Sequence, residues 1–266
     1  MLKYLNEKEF QQYIVQYLTE HNGFTERKFK KTGDENWKPE YAIDRGMLMS
    51  FLWNTQKETM EALKKIFKDK FEQKILATIN ATITGEGGLL NALKHPIDVS
   101  NYKLTLLYRK PEFPRAVEQM RLYESNVFTV AQEVWASDKE RIDLVLFVNG
   151  IAIVSVELKC NASGQGWSDA VKQYQKDRNP QTRLFHSMGG CLVNFAMDLD
   201  EVRMTTRLEK DKTSFLPFNR GRGHGINAGA GNSPIPNKYA VSYMWERIFT
   251  KDKLTELITK FMFYED

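Results

Sequence analysis

The sequence predicts an α/β protein in which helices flank a mixed β-sheet. Apolar residues follow helical spacing up to about residue 96, and strand-like runs replace this pattern from residue 104. A helical segment, residues 169–178, lies between two of these runs, as expected of a crossover helix. The chain has 266 residues, of which 42% are hydrophobic, and can therefore bury one large core or two modest ones.

The first hundred residues are predicted to be mainly helical. The first helix keeps its apolar residues on one face and ends at Asn22-Gly23. The residues of that face are Phe10, Tyr13, Ile14, Tyr17 and Leu18. Further helices are expected over residues 43–67, 71–81 and 89–93, the last of them after the breaking sequence Glu86-Gly87-Gly88.

The rest of the chain is predicted to supply the sheet, because its apolar runs are rich in β-branched and aromatic residues. The predicted strands are residues 104–108, 127–133, 144–148, 151–156, 183–185, 192–196 and 202–205. Asn149-Gly150 joins two of them in a two-residue hairpin turn, which needs a positive φ at both positions. A closing helix is expected over residues 243–263.

Two carboxylates and an ammonium group fall at one end of this hairpin. Asp143 opens the first strand, Glu157 closes the second, and Lys159 shares a face with Glu157 because alternate strand residues point the same way. Carboxylates bind divalent cations and leave positions open for water and a phosphate, and a nearby lysine can orient the water. The pattern indicates a phosphodiester-cleaving site, although a Glu-x-Lys triplet alone is usually a solvated strand edge.

Two other residues are candidates for the same site. Gln173 lies at the edge of the apolar face of the 169–178 helix, for which Ser168 is the expected N-cap. Its amide could bond a phosphate or a metal-bound water, and the alternative is an ordinary surface glutamine. Glu7 borders the buried face of the first helix, whereas Glu9 points away; either could be a first-turn acid favoured by the helix dipole.

Composition and charge limit the class of protein. The net charge is +4, only mildly basic, so local clusters matter more than the total. Most such clusters are solvated faces, but Arg220 and Arg222 stand among glycines that would let the backbone approach a phosphate closely. Two cysteines, no charged-then-apolar leader and no long apolar run predict a cytoplasmic protein with free thiols and no membrane segment.

Several longer segments, which together span almost the whole chain, carry a family resemblance. They are residues 7–10, 141–151, 156–159, 170–174, 191–198, 204–207, 215–220, 229–232 and 243–246. In these segments the chain resembles the amino-terminal nuclease domain of the restriction and motor subunit of type I restriction-modification enzymes. The resemblance implies a restriction-endonuclease-like fold of the PD-(D/E)xK superfamily, with Asp143, Glu157 and Lys159 as the residues of that motif.

The resemblance also implies roles for the site residues. Asp143, Glu157 and Glu7 would bind Mg²⁺ or Mn²⁺, and Gln173 would join the catalytic residues beside double-stranded DNA. Many members of the family carry Gln-x-x-x-Tyr on the helix after the lysine. Here Asp177 stands at the tyrosine position, so a tyrosine role does not carry over.

A single nuclease domain over residues 1–266 is expected, with a mainly helical part at 1–100, an α/β core at 101–219, and a Gly-rich loop and closing helix at 220–266. The implied function is cleavage of unmethylated foreign DNA after ATP-driven translocation, with methyltransferase and specificity subunits as partners. ATP would serve only motor domains, since no Gly-x-x-x-x-Gly-Lys-Ser/Thr loop occurs in these residues, and the chain is expected to be a fragment. The alternatives are a non-cutting DNA-binding module and a module that docks the motor onto those subunits.

Overall fold

The computed structural model describes residues 6–113, 115–160, 164–221 and 230–264. Within these ranges the strands form a mixed sheet of nine and a separate pair, β4–β5. The strands are β1 (Thr25–Arg27), β2 (Trp37–Lys38), β3 (Ile43–Asp44), β4 (Ile97–Val99), β5 (Tyr102–Leu104), β6 (Phe128–Trp135), β7 (Arg141–Val148), β8 (Ile151–Leu158), β9 (Val193–Met197), β10 (Val202–Thr205) and β11 (Leu216–Pro217).

The main sheet has the order β1-β6-β7-β8-β9-β10-β11. The pairs β1–β6 and β8–β9 are parallel, and the other neighbours along this path are antiparallel. The small hairpin β2–β3 joins β8 through Ile43 and Ile151. The predicted α/β class with a mixed sheet is therefore confirmed.

Helices cover both faces of the sheet. They are α1 (Glu7–His21), α2 (Arg45–Thr55), α3 (Lys57–Phe67), α4 (Phe71–Thr84), α5 (Gly88–Lys94), α6 (Val117–Glu124), α7 (Trp167–Asp177) and α8 (Lys251–Glu256). One core cluster gathers apolar side chains of α1 to α5 and of the C-terminal segment against the sheet. A second cluster includes Ala170 and Tyr174, which places α7 on the other face.

Side-chain hydrogen bonds explain two departures from the predicted elements. Residues 43–67 do not form one helix: Ile43 belongs to β3, and the chain breaks at Gln56 between α2 and α3. The side chain of Gln56 accepts from the N–H of Thr105 at 2.8 Å and donates to its carbonyl at 3.0 Å. These bonds replace a strand ladder, and the strand predicted at 104–108 accordingly ends at Leu104.

Turns interrupt two other predicted elements. Residues 183–185 form a 3₁₀ turn instead of a strand, closed by a bond from the N–H of Phe185 to the carbonyl of Thr182 at 2.9 Å. The closing helix divides into π-helical turns at Met244–Ile248 and Leu257–Phe261 on either side of α8. Thr250 separates the first of these turns from α8, because its extended backbone and its hydroxyl cap the start of α8.

The β7–β8 hairpin forms where Asn149-Gly150 predicts it, with φ of 50° and 82° at the two positions. The Asn149 side chain is buried, and it accepts from the N–H of Val127 at 2.7 Å and donates to the carbonyl of Leu106 at 2.9 Å. A Cβ atom on Gly150 would lie 2.5 Å from the carbonyl oxygen of Asp44. The turn is therefore packed directly against the start of α2, at the end of the hairpin remote from Asp143.

Candidate active site

Strands β7 and β8 bring Asp143 and Glu157 together. Leu144 pairs with Val156 in the antiparallel register, so the two acids stand opposite each other on neighbouring strands. Both side chains are buried. The two side chains are therefore neighbours inside the protein, where the charge of Asp143 disfavours a charge on Glu157.

Asp143 is fixed through its side chain and its backbone. One carboxylate oxygen, Oδ2, accepts the N–H of Leu158 at 2.7 Å. The Asp143 carbonyl accepts from the buried amide of Gln11, on α1, at 2.8 Å. Burial raises the pKa of Asp143, and the Leu158 N–H and the charge of Lys159 offset part of that rise.

Glu157 shares its buried position with an arginine from the end of α7. Arg178 donates from Nε at 2.7 Å and also from Nη2, and both bonds fall on Oε1 of Glu157. The second oxygen, Oε2, is buried and accepts no hydrogen bond from any described residue. Burial and the neighbouring Asp143 raise the pKa of Glu157, and Arg178 opposes the rise. The unpaired oxygen is therefore unfavourable unless a proton or a cation binds it.

Lys159 links the hairpin to α1. Its Nζ donates to the Leu158 carbonyl at 2.9 Å and to Oε2 of Glu7 at 3.2 Å. The Lys159 side chain is 9% exposed and that of Glu7 is 38% exposed, so Glu7 lies at the rim. Within the described ranges, no three His, Cys, Asp or Glu side chains are grouped as a metal site. The role of Glu7 as a metal ligand stays a prediction.

Helix α7 is seated on the sheet by a buried polar network beside the acids. The hydroxyl of Tyr174 lies 2.8 Å from Oγ of Ser155, and Ser155 donates to Oδ1 of Asn194 at 2.6 Å. Tyr174 is therefore a core residue. Gln173, its neighbour on α7, is half-buried. Contact between Gln173 and a phosphate or a metal-bound water stays a prediction.

The start of α7 is also held by the sheet. Asp198, just after β9, accepts the N–H of Trp167 at 2.9 Å. The helix begins at Trp167 instead of after the predicted cap Ser168, because the carboxylate of Asp169 bonds the N–H of Gly166 at 3.1 Å. Both ends of α7 are thus attached to strands that carry or adjoin the acids.

The predicted phosphate-contacting arginines are only partly described. Arg220 is exposed, and its backbone N–H bonds Oδ1 of Asn232 at 2.7 Å. Arg222 lies outside the described residues. Contact of either residue with DNA stays a prediction.

A comparison with protein families identifies the chain. The family model described as the type I restriction enzyme R protein N terminus matches residues 4–213, which is well over half of the sequence. The chain belongs to this family. The resemblance predicted from the sequence is thereby confirmed, and the matched residues include Glu7, Asp143, Glu157, Lys159 and Gln173. No curated protein matches the chain.

Sequence reasoning missed two residues of this R protein N-terminal domain. Arg178 pairs with Glu157, and Gln11 bonds the Asp143 carbonyl. A signal for Gln11 exists, because it follows Glu7 by four residues and so shares its helix face. For Arg178 the signal is indirect: a glutamate closing a strand of buried residues needs a cation, and Arg178 ends the helix that follows.

The donor set of this R protein N-terminal domain fits a hard divalent cation. Asp143 and Glu157 offer carboxylate oxygens, which Mg²⁺ and Mn²⁺ favour, and Oε2 of Glu157 accepts no hydrogen bond from the described residues, so its lone pairs are free for a cation when the carboxyl is ionised. Two protein carboxylates would leave the remaining coordination positions to water and substrate. Among the described helices, none combines the length and apolarity needed to cross a bilayer.

Proposed function

We propose that this chain is the metal-dependent DNA-cleaving domain of a type I restriction enzyme. The observation that supports this best is the buried pair Asp143 and Glu157 beside Lys159, with one glutamate oxygen left unpaired. Membership of the R protein N-terminal family gives the pair a restriction context. The proposed substrate is double-stranded DNA, and the proposed reaction is phosphodiester hydrolysis.

Each site residue has a defined part in this proposal. Asp143 and Glu157 would hold Mg²⁺ or Mn²⁺, with Glu7 as an additional ligand at the rim. When bound, the ion would lower the pKa of a water and offset the charge of the phosphoryl oxygens. An ammonium group has three donors, and two of those on Lys159 are used by Leu158 and Glu7, which leaves one for a water or a phosphate oxygen. The Gln173 amide would bond the scissile phosphate.

The proposed setting is a complex with methyltransferase and specificity subunits that acts on unmethylated foreign DNA. Arg220 and Arg222 would contact the DNA backbone. ATP would be consumed by motor domains, and no phosphate-loop sequence for it occurs in these 266 residues. The rival proposal is a docking module that binds DNA or subunits and does not cut.

Lys159→Met separates these proposals. Nicking of supercoiled plasmid would be measured with Mg²⁺ or Mn²⁺, both for this chain alone and for the assembled complex with ATP. We expect the variant to cut roughly a hundredfold more slowly in the assembled complex, the scale of losing one preorganised electrostatic stabiliser. DNA affinity, measured by fluorescence anisotropy, should change little.

Lys172→Met is the matched control. Lys172 lies on the surface of α7, its side chain is 68% exposed, and it pairs only with Asp169 among described residues. Its loss should leave cleavage intact, whereas Asp143→Asn should abolish both metal dependence and cutting. If the assembled Lys159→Met complex cuts at the parental rate, the site is not the nuclease centre and the docking proposal becomes the better one.

A further inference from the structure

The ion pair between Arg178 and Glu157 has an unusual geometry. An arginine and a carboxylate commonly pair as two parallel bonds, one to each oxygen. Here Nε and Nη2 of Arg178 both donate to Oε1 of Glu157. The other oxygen, Oε2, receives no donor from the described residues although it is buried beside Asp143. The ion pair therefore occupies Oε1 of Glu157 and leaves Oε2 without a hydrogen bond from the described residues.

Arg178 is itself held in place by three further contacts, one of its side chain and two of its backbone. Its Nη2 donates to the carbonyl of Arg141, on β7, at 2.7 Å. Its own carbonyl accepts from Nζ of Lys210 at 3.0 Å. The following N–H, of Asn179, bonds Oε1 of Glu140 at 2.5 Å. The guanidinium therefore has little freedom to follow the carboxylate if Glu157 rotates.

We propose that Arg178 is a positioning residue that fixes Oε1 of Glu157 so that Oε2 is presented to a divalent cation shared with Asp143. This inference rests on the proposed metal-dependent function. A free glutamate carboxylate rotates, and fixing it before binding reduces the entropy lost when the metal binds. Partners of metal ligands act in this way elsewhere, and their removal typically weakens metal binding ten- to a hundredfold.

Charge and position predict opposite effects at residue 178, which makes the inference testable. A positive charge next to the site repels a cation, so removing the charge alone should tighten metal binding. Loss of positioning should weaken it. Arg178→Lys keeps the charge but cannot bond both Glu157 and the Arg141 carbonyl in the same fixed plane. Arg178→Gln removes the charge as well.

The experiment measures Mn²⁺ binding to the 266-residue chain, by electron paramagnetic resonance of the free ion and by calorimetry. We expect the Mn²⁺ dissociation constant to rise about tenfold or more in Arg178→Lys and also in Arg178→Gln. Arg27→Lys is the matched control, because Arg27 pairs with the fully buried Asp44 at 2.6 Å, next to the hairpin turn at the far end of β8. That control should keep the parental dissociation constant, and melting curves check that each variant is folded.

A second comparison uses Glu157→Gln as the background. If Arg178 acts through Glu157, Arg178→Lys should cause no additional loss of Mn²⁺ affinity in Glu157→Gln. A general structural role would weaken binding equally in both backgrounds, and that result would overturn the inference, as would parental affinity in Arg178→Lys or tighter binding in Arg178→Gln. If Asp143→Asn binds Mn²⁺ as the parent does, or if the parent binds none, the proposed metal site fails and the inference fails with it.

Discussion

At the scale of single residues, burying the two acids of the site is electrostatically unfavourable when both are ionised. Asp143 and Glu157 are both buried, and burial raises the pKa of each carboxyl. In the unfolded chain these groups titrate near their ordinary values of about 3.9 and 4.3. Between those values and the raised values, the folded protein holds more protons than the unfolded chain. The free energy of unfolding of the metal-free protein must therefore fall as pH rises through that window.

Asp143→Asn should remove part of this pH dependence. The amide oxygen can still accept the Leu158 N–H, and no charge has to be buried at neutral pH. In metal-free buffer we expect the variant to melt at a higher temperature than the parent near pH 7.5, and the difference to shrink toward pH 4. Added Mn²⁺ should raise the melting temperature of the parent only.

Asp98→Asn is the control for this measurement, because the Asp98 side chain is 76% exposed and should change the pH profile little. Parallel profiles for the parent and Asp143→Asn would contradict the prediction. They would mean that water reaches the two acids in the folded protein.

At the scale of elements, the hairpin β7–β8 determines the site. Its turn pairs Val148 with Ile151, and a one-residue register shift between Leu146 and Phe147 then sets Asp143 opposite Glu157. This turn depends on Gly150, whose missing side chain lets the backbone contact Asp44 and Leu48 at the start of α2. The pairing of Asp143 with Glu157 across the strands therefore depends in part on a close contact at the opposite end of the hairpin.

Gly150→Ala tests this dependence. A Cβ atom would meet backbone atoms of Asp44 and Leu48 at 2.5 Å and 2.6 Å, which no side-chain rotation relieves. Gly33→Ala is the control: Gly33 also has a positive φ, of 67°, but no atom lies within 4 Å of its added Cβ. In urea denaturation, Gly33→Ala should cost about 1 kcal/mol for the left-handed backbone. Gly150→Ala should cost roughly 3 kcal/mol beyond that, and equal costs would show that the contact with α2 is not tight.

The same elements show what sequence reasoning can reach. The hairpin and its turn follow from local signals, because the strand pattern and the Asn-Gly turn lie within one short run of residues. The pairing of Asp143 with Glu157 also needs the register shift between Leu146 and Phe147, which the strand pattern does not predict. The partners of the two acids, the Gln11 amide and the Arg178 guanidinium, cannot be predicted from local signals. Gln11 is 132 residues from Asp143, and Arg178 meets Glu157 only after α7 has folded back onto the sheet. The strand wrongly predicted at 104–108 failed for a related reason, since the distant side chain of Gln56 supplies its backbone bonds.

At the scale of the whole molecule, the two ends of the described chain are joined. The side chain of Asn22, at the end of α1, donates to the carbonyls of Trp245 and Phe249 at 2.7 Å and 2.8 Å. Phe10 and Tyr13 of α1 pack edge-on against Trp245. One core cluster includes residues from α1 through the C-terminal segment. These contacts favour a single cooperative unit, and the single domain stays a prediction.

Asn22→Ala should weaken this junction without dividing the molecule. Two carbonyls lose their donor, so we expect the unfolding free energy to fall by about 2 kcal/mol. The dependence on urea should keep its slope, and far-UV circular dichroism and tryptophan fluorescence should report one coincident transition. Asn101→Ala, at an exposed asparagine, serves as the control. Two separate transitions in the parent would show that the helical part at 1–100 folds independently, contrary to the single-domain prediction.

The long-range partners of the hairpin also set an order of folding. The bond between the Leu158 N–H and Asp143 spans 15 residues, whereas the bonds to Arg178, Gln11 and Glu7 span 21, 132 and 152 residues. Hairpins close in microseconds, while contacts between distant segments form later because a long loop must close first. We therefore expect the two acids to meet while they are still hydrated, and α1 and α7 to remove their water afterwards. A cation able to bind the nascent hairpin would reach the two carboxylates before the last layer of the protein closes over them.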